Sequence, residues 1–164
     1  MIKPLFQRLV VAYNGSEASL HAVMYAVLMA KLYKCQVKVV YVVDTVTIKQ
    51  LTLSKFMVKD EGDLIESNLV ADGERNLSYV TKLASGKGIK VESELRKGAV
   101  WSELIKVANE YNANLILLGG KVSGNSSTPH RDVLSAHNSE VIASASCSVM
   151  VVREQYIEQL FKLA

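Results

Sequence analysis

Four apolar runs dominate what this chain can fold into. They are Leu9-Val10-Val11-Ala12-Tyr13, Gln36 to Val43, Leu115-Leu118 and Val149-Val152. The first is too short for a helix and reads as a strand buried on both faces, Leu115-Leu118 also looks buried, and the other two read as strands. Such strands belong to parallel sheets, which need helices on both faces and a helical crossover between neighbours.

The intervening segments supply those helices. From Ala18 to Tyr33, Ala22, Ala26, Met29 and Tyr33 recur at helical period, widened by Val23, Val27 and Ala30, and Asn14-Gly15 followed by Ser16-Glu17 gives a turn and a helix start. Asp63 to Lys87 repeats through Leu69, Gly73, Leu77, Val80 and Ala84 and is closed by Gly86 and Gly88. Ile89 to Leu95 alternates apolar and polar, as a half-exposed edge strand does. Val100 to Tyr111 is amphipathic, and Asp132 to Ala145 reads as the next helix. Asp44 to Lys59 is more apolar than a solvated loop and reads as a partly ordered excursion over the sheet or against a partner chain. Tyr156 to Ala164 forms a short amphipathic tail. The expectation is one α/β domain, a three-layer sandwich around a five-stranded, mostly parallel, Rossmann-like sheet in the order 3-2-1-4-5, with residues 153–164 as a tail.

Composition removes several function classes. At 164 residues with 49% hydrophobic and 21% charged content, the chain is a globular domain rather than a disordered one. A net charge of +3, spread along the chain, lacks the basic stripe of a nucleic-acid binder. The most apolar helical stretch, Ala18 to Leu32, is interrupted by His21 and Lys31, so no membrane insertion is expected, and a cytoplasmic location is. Cys35 and Cys147 have no metal-ligand or disulfide spacing and read as structural thiols. His21, His130 and His137 show no zinc spacing, and His21, one turn from Tyr25, reads as a surface or capping residue. The Gly-x4-Gly-Lys-Ser/Thr loop and the nucleophile elbow are absent, no catalytic constellation stands out, and the chain is not expected to be an enzyme.

The candidate site follows the fourth strand of the five: Leu115-Leu118 stops on Gly119-Gly120, and a polar loop runs to Pro129. In α/β sheets ligands bind beyond the carboxyl ends of the strands, where loop amides and a helix start face an anion. Gly119, Gly120 and Gly124 supply backbone freedom there, Ser123, Ser126, Ser127 and Thr128 supply hydroxyls, and Lys121 and Arg131 supply positive charge. The bland reading is a solvated loop whose glycines merely end a strand. Asn14 is likewise either a ribose contact or an ordinary Asn-Gly turn.

At this point the residues resemble the universal stress protein family. Leu9 to Ser19 looks like its opening strand and turn, Tyr41-Val42-Val43-Asp44 like its second-strand ending, Gly98 and Trp101 to Gly119 like the approach to its phosphate loop, and Ser144 to Val152 like its last turn and strand. Ser148 stands where Pro is usual. The resemblance implies the adenine nucleotide alpha hydrolase-like fold, dimers paired through the last strand (here Val149, Met150, Val151 and Val152), and in many members an ATP site built on Gly-x2-Gly-x9-Gly-Ser/Thr. Gly119 matches the first glycine of that loop, but Val122 stands at the second, the closing pair falls on Ser135-Ala136, and the usual acid of the first turn is Asn14. Asn can bond a ribose but brings no charge to Mg²⁺.

The expected function is a stress-response role exercised by binding. The ligand implied is an adenine nucleotide, ATP or AMP, with Mg²⁺ if ATP. Phosphate would meet Gly119, Gly120, Ser123, Gly124 and Ser135, while ribose and base would meet Asn14 and Val42. The alternative is a dimeric interaction module of the same fold that binds a protein partner and no nucleotide.

Overall fold

A computed structural model describes residues 2–55, 57–120 and 133–164, with side chains from residue 137 onward in the last segment. Eleven elements follow one another: β1 (Arg8–Ala12), α1 (Glu17–Tyr33), β2 (Gln36–Asp44), α2 (Thr45–Leu53), α3 (Lys59–Ser85), β3 (Glu92–Gly98), α4 (Val100–Tyr111), β4 (Leu115–Gly119), α5 (Val133–Ser144), β5 (Ser148–Val152) and α6 (Ile157–Leu163). The five strands form one sheet in the order β3-β2-β1-β4-β5, and every pairing is parallel. The sheet is therefore the expected one, with no antiparallel member.

The strand β1 sits in the middle. Leu9, Val10 and Val11 face Val37, Lys38 and Val39 of β2 on one side and Leu115, Ile116 and Leu117 of β4 on the other. Alternate residues supply the two cores. Leu9, Val11, Val39 and Leu117 point toward α1, α3 and α6, and Val10, Val40, Ile116 and Leu118 point toward α4 and α5. All eight are buried, which is why the runs read as continuous in sequence.

Three boundaries differ from the sequence expectation. The Thr45 to Lys59 stretch contains a formed helix, α2, because the Asp44 carboxylate caps it: Thr47 N donates to Asp44 Oδ1 at 3.1 Å. This helix packs mainly on α3 and also touches the edge strand β3, and Gly62 permits the approach to α3, since a Cβ there would lie 2.9 Å from Thr52 Oγ1. The helix α3 also begins at Lys59, earlier than its apolar period suggested. Strand β3 begins at Glu92 rather than Ile89, because Ile89 N closes the end of α3 on Ala84 O at 3.0 Å around the left-handed Gly88. It is still the half-exposed edge strand, held by Lys38–Glu94 at 3.5 Å and Arg96–Glu103 at 3.0 Å.

The tail folds back on its own chain. Residues Ile157 and Phe161 of α6, 1% and 4% exposed, join the core formed by α1 and β1. His21 lies under it, only 6% exposed, so it is neither a surface nor a capping residue. Burial pushes the Cys35 and Cys147 thiols up in pKa, which suits the structural reading of both.

If the tail belongs to its own core, Ile157→Ala should cost about 2–5 kcal/mol in urea unfolding. The half-exposed Leu160→Ala should change stability by less than about 0.5 kcal/mol. The loss at Ile157 should not depend on protein concentration; a concentration-dependent loss would mean the tail packs on a second copy.

Candidate functional site

The sheet order reverses between β1 and β4, so the crossovers leave toward opposite faces and a crevice opens over their carboxyl ends. A cleft of about 340 Å³ occupies that point, within the roughly 300–1,000 Å³ range of small-molecule sites. Its walls are mainly apolar. Val40 and Val42 enter from β2, Leu118 from β4, Val100 and Leu104 from α4, and Val141 from α5. Its polar side chains are Asn14, Ser16, the buried Ser19, Asp44, His137 and Asn138, with Tyr13 beside them. Among the described residues no lysine or arginine lines it. A flat apolar group with a polar appendage fits such walls better than a compact, highly charged one.

The turn after β1 is closed by its own side chains. Asn14 Oδ1 accepts from Ser16 N at 3.0 Å and from the Ser19 hydroxyl at 2.8 Å, while Asn14 N donates back to Ser19 Oγ at 3.2 Å. Gly15 follows with φ +84°, a conformation natural to glycine. Ser16 then caps α1, its hydroxyl oxygen accepting from Ser19 N at 3.2 Å. Asn14 is thus a turn residue and a cleft residue at once. Its oxygen serves the turn, which leaves its NH₂ as the group able to address a ligand.

The two glycines after β4 have separate physical reasons. At Gly119 a Cβ would lie 2.5 Å from the Ala18 carbonyl carbon and oxygen, so β4 and the first turn of α1 touch only because no side chain intervenes. Its carbonyl accepts from Asn138 Nδ2 at 3.1 Å, pinning α5 to the end of the strand. Gly120 N donates to Val152 O at 2.9 Å, and a Cβ there would collide with Arg153 and Val151. Its amide thus extends the β4–β5 ladder and does not face an anion.

Of the sequence candidates, the structure brings Asn14, Val42 and Gly119 into one cleft and turns Gly120 into the sheet. Ser123 and Gly124 lie outside the described residues, as do Lys121, Val122, His130 and Arg131. Ser135 falls in the first turn of α5, where side chains are not described. Several cleft residues escaped the sequence reading as site members. Ser19 is buried and holds the turn, and Val100, Leu104 and Asn138 line the cleft. Nothing in the sequence marks α4 as a cleft wall, since Val100 and Leu104 read there as an ordinary apolar face. Asp44, noted only as a strand ending, lines the cleft while both carboxylate oxygens accept from Thr47. Tyr13 also borders the cleft, and burial, with Tyr79 and Tyr41 nearby, pushes its phenol up and keeps it neutral.

A family model described as Universal stress protein family matches residues 5–153. A universal stress protein of Methanocaldococcus jannaschii is 31% identical over 153 residues, covering 92% of this chain and 84% of its own. Among solved structures, a universal stress protein from Lactobacillus plantarum superposes with TM-score 0.73 at 18% identity, over 92% of this chain and 100% of that one. One from Archaeoglobus fulgidus, solved in complex with dAMP, gives 0.61 at 20% identity over 92% of this chain and 100% of that one. At such identities the likeness to the solved structures speaks for the fold alone.

Because the Gly119 contact is to backbone, Gly119→Ala should destabilise the ligand-free protein by at least about 1–3 kcal/mol. Gly86→Ala, where the nearest atom is 3.4 Å away in a helical conformation, should be neutral or slightly stabilising. Urea melts of both variants check this. A neutral Gly119→Ala would mean that the strand and helix do not touch.

Proposed function

The chain belongs to the universal stress protein family, and from that premise we propose that it acts by binding an adenine nucleotide in the cleft over β1, β2 and β4, not by catalysis. The observation that carries this reading is the composition of the cleft: mainly apolar walls from Val40, Val42, Val100, Leu104 and Leu118, with few polar side chains. An adenine ring would desolvate well between such walls, and main-chain groups around Val42 would meet its edge. Asn14 is the ribose contact. Ser123, Gly124 and Ser135, with the start of α5, are the phosphate contacts, and Gly119 positions the loop that carries them.

The monophosphate is the better ligand of the class. The relative from Archaeoglobus fulgidus is solved with dAMP. Here Val122 replaces one loop glycine and Ser135-Ala136 replaces the closing pair, which removes sites for a longer phosphate chain. Asn14 brings no charge to Mg²⁺, and the one carboxylate among the described residues of the cleft, Asp44, is engaged in capping α2. AMP without metal is therefore favoured over Mg²⁺–ATP, and the role is regulatory sensing in a stress response.

The test uses protein stripped of ligand by unfolding and refolding, with the released solution chromatographed for adenine nucleotides. AMP added at about a hundredfold over its dissociation constant should stabilise the protein by about 2.7 kcal/mol. Asn14→Ala should weaken binding by about tenfold, the loss of one net hydrogen bond. No released nucleotide and no shift at millimolar AMP or ATP would overturn the reading. It would favour the second one, a ligand-free interaction module, for which the engagement of the Gly120 amide in the sheet already speaks.

A homodimer completes the proposal. The strand β5 pairs with β4 alone among the described residues, and its sequence, Ser148 to Val152, carries no charge. An uncharged edge of this kind is a template for another strand, and a two-fold axis would pair it with its own copy. Val151→Lys, at a half-buried position, should convert the dimer to a monomer by sedimentation with an unchanged far-ultraviolet spectrum. A dimer that survives the lysine would place the interface elsewhere.

A further inference from the structure

Away from the cleft, Glu17 and His21 of α1 converge with Glu158 of α6. His21 Nε2 lies 3.1 Å from Glu158 Oε1 and 3.9 Å from Glu17 Oε1, and one donor atom from each residue falls within 4.8 Å of the other two. We propose that these three side chains form a binding site for a divalent transition-metal ion, zinc by preference, which clasps α6 to α1.

Geometry is the first support. Bonds of about 2.0–2.2 Å from one zinc ion to imidazole and carboxylate set ligand atoms a little over 3 Å apart in a tetrahedral shell, and the His21 distances bracket that spacing. Glu17 and His21 stand four residues apart on α1, one turn of the same face, and Glu158 arrives from a separate element. The donors, one imidazole and two carboxylates, suit a borderline ion, and the fourth position is left for water.

The second support is the state of the ring. The His21 side chain is 8% exposed, Nε2 is aimed at the carboxylates, and Nδ1 is buried with no hydrogen-bond partner among the described residues. The Glu17 and Glu158 carboxylates, drawn to the same ring atom, repel each other, and a metal cation held between them and Nε2 would offset that repulsion. The consequence is mechanical: Ile157 and Phe161 already seat α6 in the core, and Glu158 lies between them on that helix. Metal binding would therefore stabilise the fold and the docking of a segment that lies beyond the family match at residue 153.

The experiment uses the full chain after treatment with a chelator. Zinc should bind with one-to-one stoichiometry by calorimetry and raise the melting temperature by roughly 5–10 °C at a hundredfold over its dissociation constant. Cobalt should give the visible absorption of a tetrahedral site. Acidification should weaken binding, because protons compete with the metal for its ligands. Glu158→Gln, at an exposed position that does not threaten folding, should weaken binding about tenfold or more, and Glu17→Gln should do likewise. Absence of saturable binding at about 1 mM zinc would overturn the proposal. Binding that both Gln variants leave unchanged would overturn it equally, by locating the metal elsewhere.

Discussion

The structure depends on β1 being hydrogen-bonded on both sides while both of its faces are buried. Leu9, Val10 and Val11 have no contact with solvent, and the strand pairs in parallel with β2 and with β4. Parallel pairing forbids tight hairpins, so each connection must cross a face as a helix, and helices must cover both faces. Because β1 is also where the strand order reverses, the crossovers from β1 and β4 depart to opposite faces. The cleft is the space those departures leave. It is a consequence of topology before it is a consequence of any side chain in it.

That separation explains how the site can survive changes in its loop. The apolar walls belong to strands and to α4, whose residues also build the second core: Val40, Leu104, Leu118 and Val141 serve both. They cannot drift without a cost in stability, since a large-to-small change there opens a cavity. Gly119 is held by contact with the Ala18 backbone and Gly120 by its bond to Val152, which fixes how the chain leaves β4.

The same division decides what was legible in the sequence. Continuous apolar runs announced the buried parallel strands, and strand order followed from the family resemblance. Helical period placed α1 and α4 closely. The α2 helix was not legible because its signal is a cap, Asp44, together with packing on a glycine, Gly62, and neither leaves an apolar stripe. The late start of β3 was hidden because the alternation of Ile89 and Val91 is indistinguishable from a strand until the end of α3 is seen to reach Ile89. For the site, Asn14 and Val42 were readable as strand ends, which are always near the crevice in this topology. Asn138 and Val100 were not, because they come from helices whose inward faces look like any other core. His21 was misjudged for a related reason: its neighbour in space, Glu158, is far away in sequence.

The tail carries this logic one step further. The residues matched by the family end at 153, yet α6 buries Ile157 and Phe161 against α1 and β1 as thoroughly as any core residue. A seven-residue helix is too short to be stable by itself, so its order must come from tertiary contacts. Those contacts lie on the face of the sheet opposite α4 and α5 and fall on the helix whose first turn supports Gly119. A segment added at the end of the chain is thereby packed on the helix that shapes the cleft entrance. The turn formed by Asn14, Ser16 and Ser19 thus caps the same helix that seats much of the tail, and the tail also contacts Lys87 beyond α3.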